Sequence, residues 1–396
     1  MNRRTLLQAT LAASFPIAMR IPASRAQGSV FSDRRMAATP AASPAGDGAI
    51  RTVPIDGQPQ VISPDGRWLA GTSQNLPFCI WDLEHLAPVS PPAAIGKALR
   101  AVDPASIAWA PDSSAVACSI NAAQFMVDSD IYVMDTAGTV TDLTDDHQNG
   151  GLKFGKGQQP IDVDTYPAWS PDGSTLAFVR THWADNDADR RTAIATIPRA
   201  GGTVTEWFVV NRASAEGFEV NSSMFWLPDQ SLLFTIAHGD PANGQNGVWR
   251  LSPTGSVTQV LKGDETADIP DPVISSVSPD GKLAAITSRA LQQRAGGRSN
   301  LPVFSLLDLA SGETSVLVAP DGARLLGSGG FLPDGSGVVA VWFDPKACGF
   351  AIYGLDGTAR GENATVPVDG FRIGRHEVSI ATDGTAFVPT IGHPSG

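Results

Sequence analysis

The chain has 396 residues, 42% of them apolar and 17% charged, with 40 Gly, 30 Pro and a formal net charge of −12. It is too apolar for a disordered chain and long enough to bury a sizeable core. So much Gly and Pro excludes a fold of long helices and points to a β protein with frequent turns, while the acidic balance, with no dominant basic patch, makes nucleic acid and anionic membranes poor partners.

At the N-terminus, Arg3 and Arg4 precede a modest apolar stretch over residues 6–18 and small residues at Ala23, Ser24 and Ala26. This is the layout of a signal peptide covering residues 1–26. The stretch is shorter than the roughly 20 apolar residues that span a bilayer, so no stable membrane insertion is expected after cleavage. The arginine pair followed by Thr5, Leu6 and Leu7 resembles a twin-arginine export signal, which implies an extracytoplasmic protein: periplasmic, cell-surface or secreted. Cleavage after Ala26 would leave 24 basic against 40 acidic residues, near −16. Residues 27–48, rich in Ala, Pro, Ser and Gly, read as a flexible tether, and no comparable linker interrupts residues 49–396, which form one domain.

That domain repeats. Segments such as ISPDGRWLAGT, WSPDGSTLAFV and VSPDGKLAAIT recur seven times, with aspartates at Asp65, Asp112, Asp172, Asp229, Asp280, Asp334 and Asp383. Each copy places a large apolar residue three positions before the Asp: Ile62, Trp109, Trp169, Trp226, Val277, Phe331 or Ile380. In the turn, Pro presets φ, Asp can accept a backbone N–H two residues on, and Gly tolerates the tight exit. Apolar runs then resume (LAFV, VVAVW) that are apolar on both faces, as strands buried on both sides are. A third strand (DIYVMD, VWRL, AIYGLD) and a more polar fourth (TVTDLT, SVTQVL) follow in several copies. Four antiparallel strands per period of about 50 residues predict an all-β fold, a β-propeller. Seven four-stranded blades are expected, with six as the alternative. The alternating segment 49–55 would add an outer strand to the last copy and close the ring.

The sequence W-S-P-D-G-x-x-L-A-F followed by D-I-Y-V-M-D resembles the repeat of the TolB-like, or WD40-like, propellers over residues 50–396. Such blades occur in envelope translocation factors, in the propeller domains of prolyl oligopeptidase-like peptidases and in oligogalacturonate lyases. The resemblance therefore implies the fold and leaves function to the site.

Enzyme motifs are sparse. There is no Gly-x-Ser-x-Gly elbow, no P-loop and no paired-zinc pattern. Asp185, Asp187 and Asp189 alternate as a calcium loop begins, but Arg190 stands where such a loop needs Gly and Thr196 where it needs Glu, so the run reads as a solvated acidic loop. His147, His182, His238 and His376 all fall just outside predicted strands. In oligogalacturonate lyases a metal sits at the propeller's central funnel, and the resemblance makes a divalent metal there, in a metal-dependent carbohydrate-active enzyme, the alternative reading. The first reading needs no cofactor. Cys79 and Cys118 lie in apolar runs as core side chains, and with Cys348 they allow at most one disulfide.

The seven aspartates are read as structural turns at one end of the ring. At the other end the loops differ in length and chemistry, and function is expected there. Its candidate binding residues are His182, Trp183, Asp185, Asp187, His238, Asp240, Arg289, Arg294, Arg298, Trp342 and Asp344. The expected function is non-catalytic binding of a protein or cell-envelope component by a monomer.

Overall fold

The computed structural model describes residues 17–20, 50–52, 58–72, 78–85, 87–92, 99, 102–103, 106–120, 128–147, 160–184, 190–211, 218–220, 224–238, 244–288, 304–318, 324–343, 347–367, 371–373, 379–382, 385–388 and 390–392. Two short strands, β1 (Ile17–Arg20) and β2 (Ile50–Thr52), come first. The first blade is β3 (Gln58–Ile62), β4 (Trp68–Thr72), β5 (Cys79–Asp82) and β6 (Ala87–Val89). The second is β7 (Ala108–Trp109), β8 (Ala115–Cys118), β9 (Tyr132–Asp135) and β10 (Val140–Asp142). The third is β11 (Ile161–Trp169), β12 (Thr175–Trp183), β13 (Arg191–Pro198) and β14 (Thr205–Asn211). In the fourth, β15 (Phe218–Val220) and β16 (Phe225–Trp226) both lie along β17 (Leu232–His238), followed by β18 (Gly247–Leu251) and β19 (Val257–Lys262). The fifth is β20 (Pro272–Val277), β21 (Leu283–Ser288), β22 (Phe304–Asp308) and β23 (Thr314–Val316). The sixth is β24 (Arg324–Phe331), β25 (Gly337–Phe343), β26 (Ala347–Gly354) and β27 (Ala359–Pro367). Within each blade the strands pair antiparallel in sequence order.

The structure thus has six blades, where seven were expected from the seven repeats. Among the described residues the last repeat does not build a blade from four consecutive strands. Of the remaining strands, β28 (Phe371–Ile373) pairs with β31 (Thr390–Gly392), while β29 (Ser379–Ile380) pairs with β30 (Thr385–Val388). The neighbour of β30 on its other side is β1, and β2 pairs with β1. Ring closure by segment 49–55 directly against the last repeat is therefore not what the sheet shows. Thr382 bonds Pro64 O of the first blade's turn through both its N–H and its hydroxyl, each at 2.7 Å.

Blade stacking explains the two-sided apolar strands. Leu176, Ala177 and Phe178 are consecutive and all fully buried, as are Leu232, Leu233 and Phe234. One cluster joins Ala110, Ala117 and Ile131 of the second blade to Trp169, Leu176, Phe178 and Ile197 of the third. Each Leu, Ile or Phe among them contributes about 1.5–3 kcal/mol by leaving water. The tryptophans before the turns add a polar tie between neighbours. Trp109 Nε1 donates to Val61 O (3.1 Å), Trp169 Nε1 to Ala108 O (3.1 Å) and Trp226 Nε1 to Ala168 O (3.0 Å). Each carbonyl belongs to the residue just before the equivalent position of the preceding blade.

In the six turns described, the Asp carboxylate accepts the N–H two residues on, at 2.9–3.2 Å. The residue after the Asp has positive φ in every one: Gly66, Gly173, Gly281 and Gly335, but Ser113 and Gln230 where the repeat lacks Gly. Asp383 lies outside the described residues. Cys79 and Cys118 are buried, and burial pushes the Cys118 thiol up. Among the described residues no helix is long and apolar enough to cross a membrane.

Candidate functional site

Four antiparallel strands in sequence order put the first and third turns of every blade at one end of the ring. The second loop and the link to the next blade lie at the other, irregular end. At that end, between the second and third blades, the chain gathers six carboxylates. Asp128 and Asp130 precede β9, Asp142 ends β10, Asp146 follows it, and Asp162 and Asp164 lie on β11. β11 begins at Ile161, so the segment IDVDTYP is strand. Ile161 and Val163 are buried and anchor it.

Backbone bonds hold the two blades together here. Ser129, fully buried, donates its hydroxyl to Asp164 O (2.9 Å) and accepts from Ile120 N (3.0 Å), and Asp164 N donates to Ser129 O (2.7 Å). Arg180 on β12 is forked onto Asp164, with Nε to Oδ1 at 2.8 Å and a terminal nitrogen to Oδ2 at 2.7 Å. Its other terminal nitrogen is 3.2 Å from Asp162. His182 Nδ1 lies 2.6 Å from Asp162 Oδ1.

The electrostatics are those of crowded, shielded acids. Burial, then the charge of Asp146, pushes Asp128 up to about 7. Burial and Asp142 push Asp130 up to about 8. Burial and Asp145 push Asp142 up to about 6. Burial also pushes Asp164 up to about 6, against the opposing bonds from Arg180. Oxygens of Asp128, Asp130 and Asp146 lie within 4.8 Å of one another, a spacing from which a cation could be held. A second grouping, Asp82, Glu84 and His85, sits at the turn end, where Asp82 Oδ2 also accepts from Arg67 (3.0 Å). No third grouping of this kind occurs among the described residues.

The expected site residues are distributed unevenly. His182 and Trp183 are at the seam, but on β12 rather than beyond it, because the strand runs longer than its apolar run. Trp183 packs on Ile161 and Val163, with the Arg190 guanidinium over its ring at 5.6 Å. His238 is the last residue of β17. Trp342, expected on the loop face, is 5% exposed in the sixth blade's core, and its indole nitrogen has no partner. Asp185, Asp187, Asp240, Arg289, Arg294, Arg298 and Asp344 lie outside the described residues, as does His376. His147 is exposed beside Asp145, at 3.2 Å. None of the described histidines joins another in a three-ligand grouping.

Sequence reading missed Asp128, Asp130, Asp142, Asp146, Asp162 and Asp164. A signal was present in the two Asp-x-Asp pairs, 128/130 and 162/164, on either side of Asp142, Asp145 and Asp146.

Six antiparallel blades, each carrying a Pro-Asp turn, decide the fold. It is a β-propeller. Among the solved structures compared, the first of the following supports the same fold. An oligogalacturonate lyase in complex with manganese superposes with a TM-score of 0.51 at 12% identity, over 86% of this chain and 90% of that one. TolB from Acinetobacter baumannii gives 0.44 at 19% identity, and this chain spans only 66% of its length. A putative TolB from Agrobacterium tumefaciens gives 0.42 at 15%, over 97% of this chain and 99% of that one. No protein-family model matches the chain. No curated protein matches it in sequence.

Proposed function

We propose that the protein is an extracytoplasmic, non-catalytic propeller that binds a protein or cell-envelope component through its irregular end. One observation carries this reading: the two ends differ in what their acidic groups do. At the turn end the repeat carboxylates bond the backbone of their own turns. At the other end, carboxylates from two blades converge on one seam beside Arg180, His182 and Trp183. Rigid blades hold loops of unlike sequence in fixed relation, which is how a repeat fold acquires one specific surface. The TolB-like architecture supports the reading at the level of fold alone.

In this proposal Arg289, Arg294 and Arg298 form a basic sector of the binding face and Asp185, Asp187, Asp240 and Asp344 an acidic one. Replacing the three arginines together with Ser should leave Tm near wild type, because exposed basic side chains contribute little to folding. Binding to an envelope partner identified by cross-linking should weaken, and weaken further in salt. Cross-links confined to the Ser-Pro-Asp-Gly end, with normal binding by the triple variant, would refute the assignment.

A further inference from the structure

Among the described residues, Asp128 and Asp130 at the seam have no ion pair. Asp128 is 7% exposed; its Oδ1 accepts from Ser129 N at 2.8 Å, while its buried Oδ2 has no hydrogen-bond partner. Asp142 Oδ1 is likewise buried without a partner. Asp130 is 4% exposed and receives only a long bond from Thr144 Oγ1, at 3.5 Å. Among the described residues no arginine or lysine pairs with Asp128 or Asp130, and Arg180 is taken up by Asp162 and Asp164. Collecting such groups away from water is unfavourable through both desolvation and mutual repulsion. A buried oxygen without a donor in a native protein calls for an explanation, and a bound cation is the one that also offsets the crowding of these carboxylates.

We propose that Asp128, Asp130 and Asp146 hold a calcium ion at the seam between the second and third blades. Their donors are all carboxylate oxygens, which suit hard cations rather than zinc or copper. Calcium takes six to eight oxygens at about 2.3–2.6 Å in tolerant geometry, so two of its ligands lie up to about 5 Å apart. The three oxygens, within 4.8 Å of one another, meet that condition. Magnesium, at about 2.0–2.1 Å, would draw them within roughly 4 Å and demands an octahedron. Bound there, the ion joins the segment before β9 to the link after β10, where Ser129 already ties the second blade to Asp164 of the third. The site needs no partner, so it stands or falls separately from the binding face.

The test uses the purified protein stripped with a chelator, then titrated with calcium chloride by calorimetry and followed by thermal unfolding. One calcium per chain should bind, and Tm should rise by a few degrees as calcium exceeds its Kd. Asp146→Asn, at a half-buried position that leaves the core intact, should weaken binding by about tenfold or more. Asp128→Asn should do the same. Asp145→Asn, an exposed acid of the same loop, should bind calcium within a few-fold of wild type. No heat and no Tm change at millimolar calcium in the wild-type protein would overturn the site. So would an equal response to magnesium, or an Asp146→Asn variant that folds and binds as wild type does.

Discussion

Replacing Arg180 with Met tests how the seam is held together. The guanidinium is 13% exposed and forks onto Asp164, which is fully buried, so the variant strands a carboxylate that can escape only by taking a proton. In the wild type, Asp164 is raised to about 6, chiefly by burial. A raised carboxyl contributes its full stability below the unfolded value of about 3.9 and loses it as pH rises, so the wild type stops losing once pH passes about 6. Without Arg180 the folded value rises further, and the variant continues to lose about 1.4 kcal/mol per pH unit. From this cause alone the deficit is about 1 kcal/mol at pH 7 and about 3 kcal/mol at pH 8, the latter at the lower edge of the ~3–5 kcal/mol typical of breaking a buried pair. Urea unfolding at pH 5.5, 7 and 8 measures it, and adding Asp164→Asn to the variant should remove the pH slope. A deficit that is flat across this range, or larger at pH 5.5 than at pH 8, would refute the reasoning.

Two further predictions concern the repeats. Trp169→Phe keeps an aromatic side chain but loses the bond to Ala108 O between blades and part of the buried ring; urea denaturation should show a loss of about 1 kcal/mol or more, with unchanged binding. Asp172→Ala removes the acceptor for Ser170 Oγ (2.6 Å), Ser174 N (3.0 Å) and Ser174 Oγ (2.8 Å), and should lower Tm measurably without a specific functional effect. Because bonds from Ser170 and Ser174 hold Asp172 down at about 2, its contribution is present above the ordinary carboxylate range and lost as pH falls through about 2. The difference in Tm between variant and wild type should therefore shrink in strong acid.

The repeat turns were legible in the sequence because their chemistry is local. The carboxylate of Asp65 or Asp280 meets an N–H two residues away, and Gly66 or Gly281 supplies the positive φ within the same turn. Two-sided strands such as LAFV were legible for a related reason: continuous burial leaves no alternation. Blade number was not, since counting turns gives seven while a blade also needs four strands, and β28 to β31 pair among themselves and with β1 instead. The seam was hidden for a different reason. Asp128, Asp146 and Asp164 are 18 residues apart from each to the next and read singly as solvated loop acids. Only the stacking of the second blade on the third, through Ser129 and the β11 strand, brings them together away from water. Burial is a property of the assembled ring, and it is burial that turns ordinary loop acids into a group in need of a counter-charge.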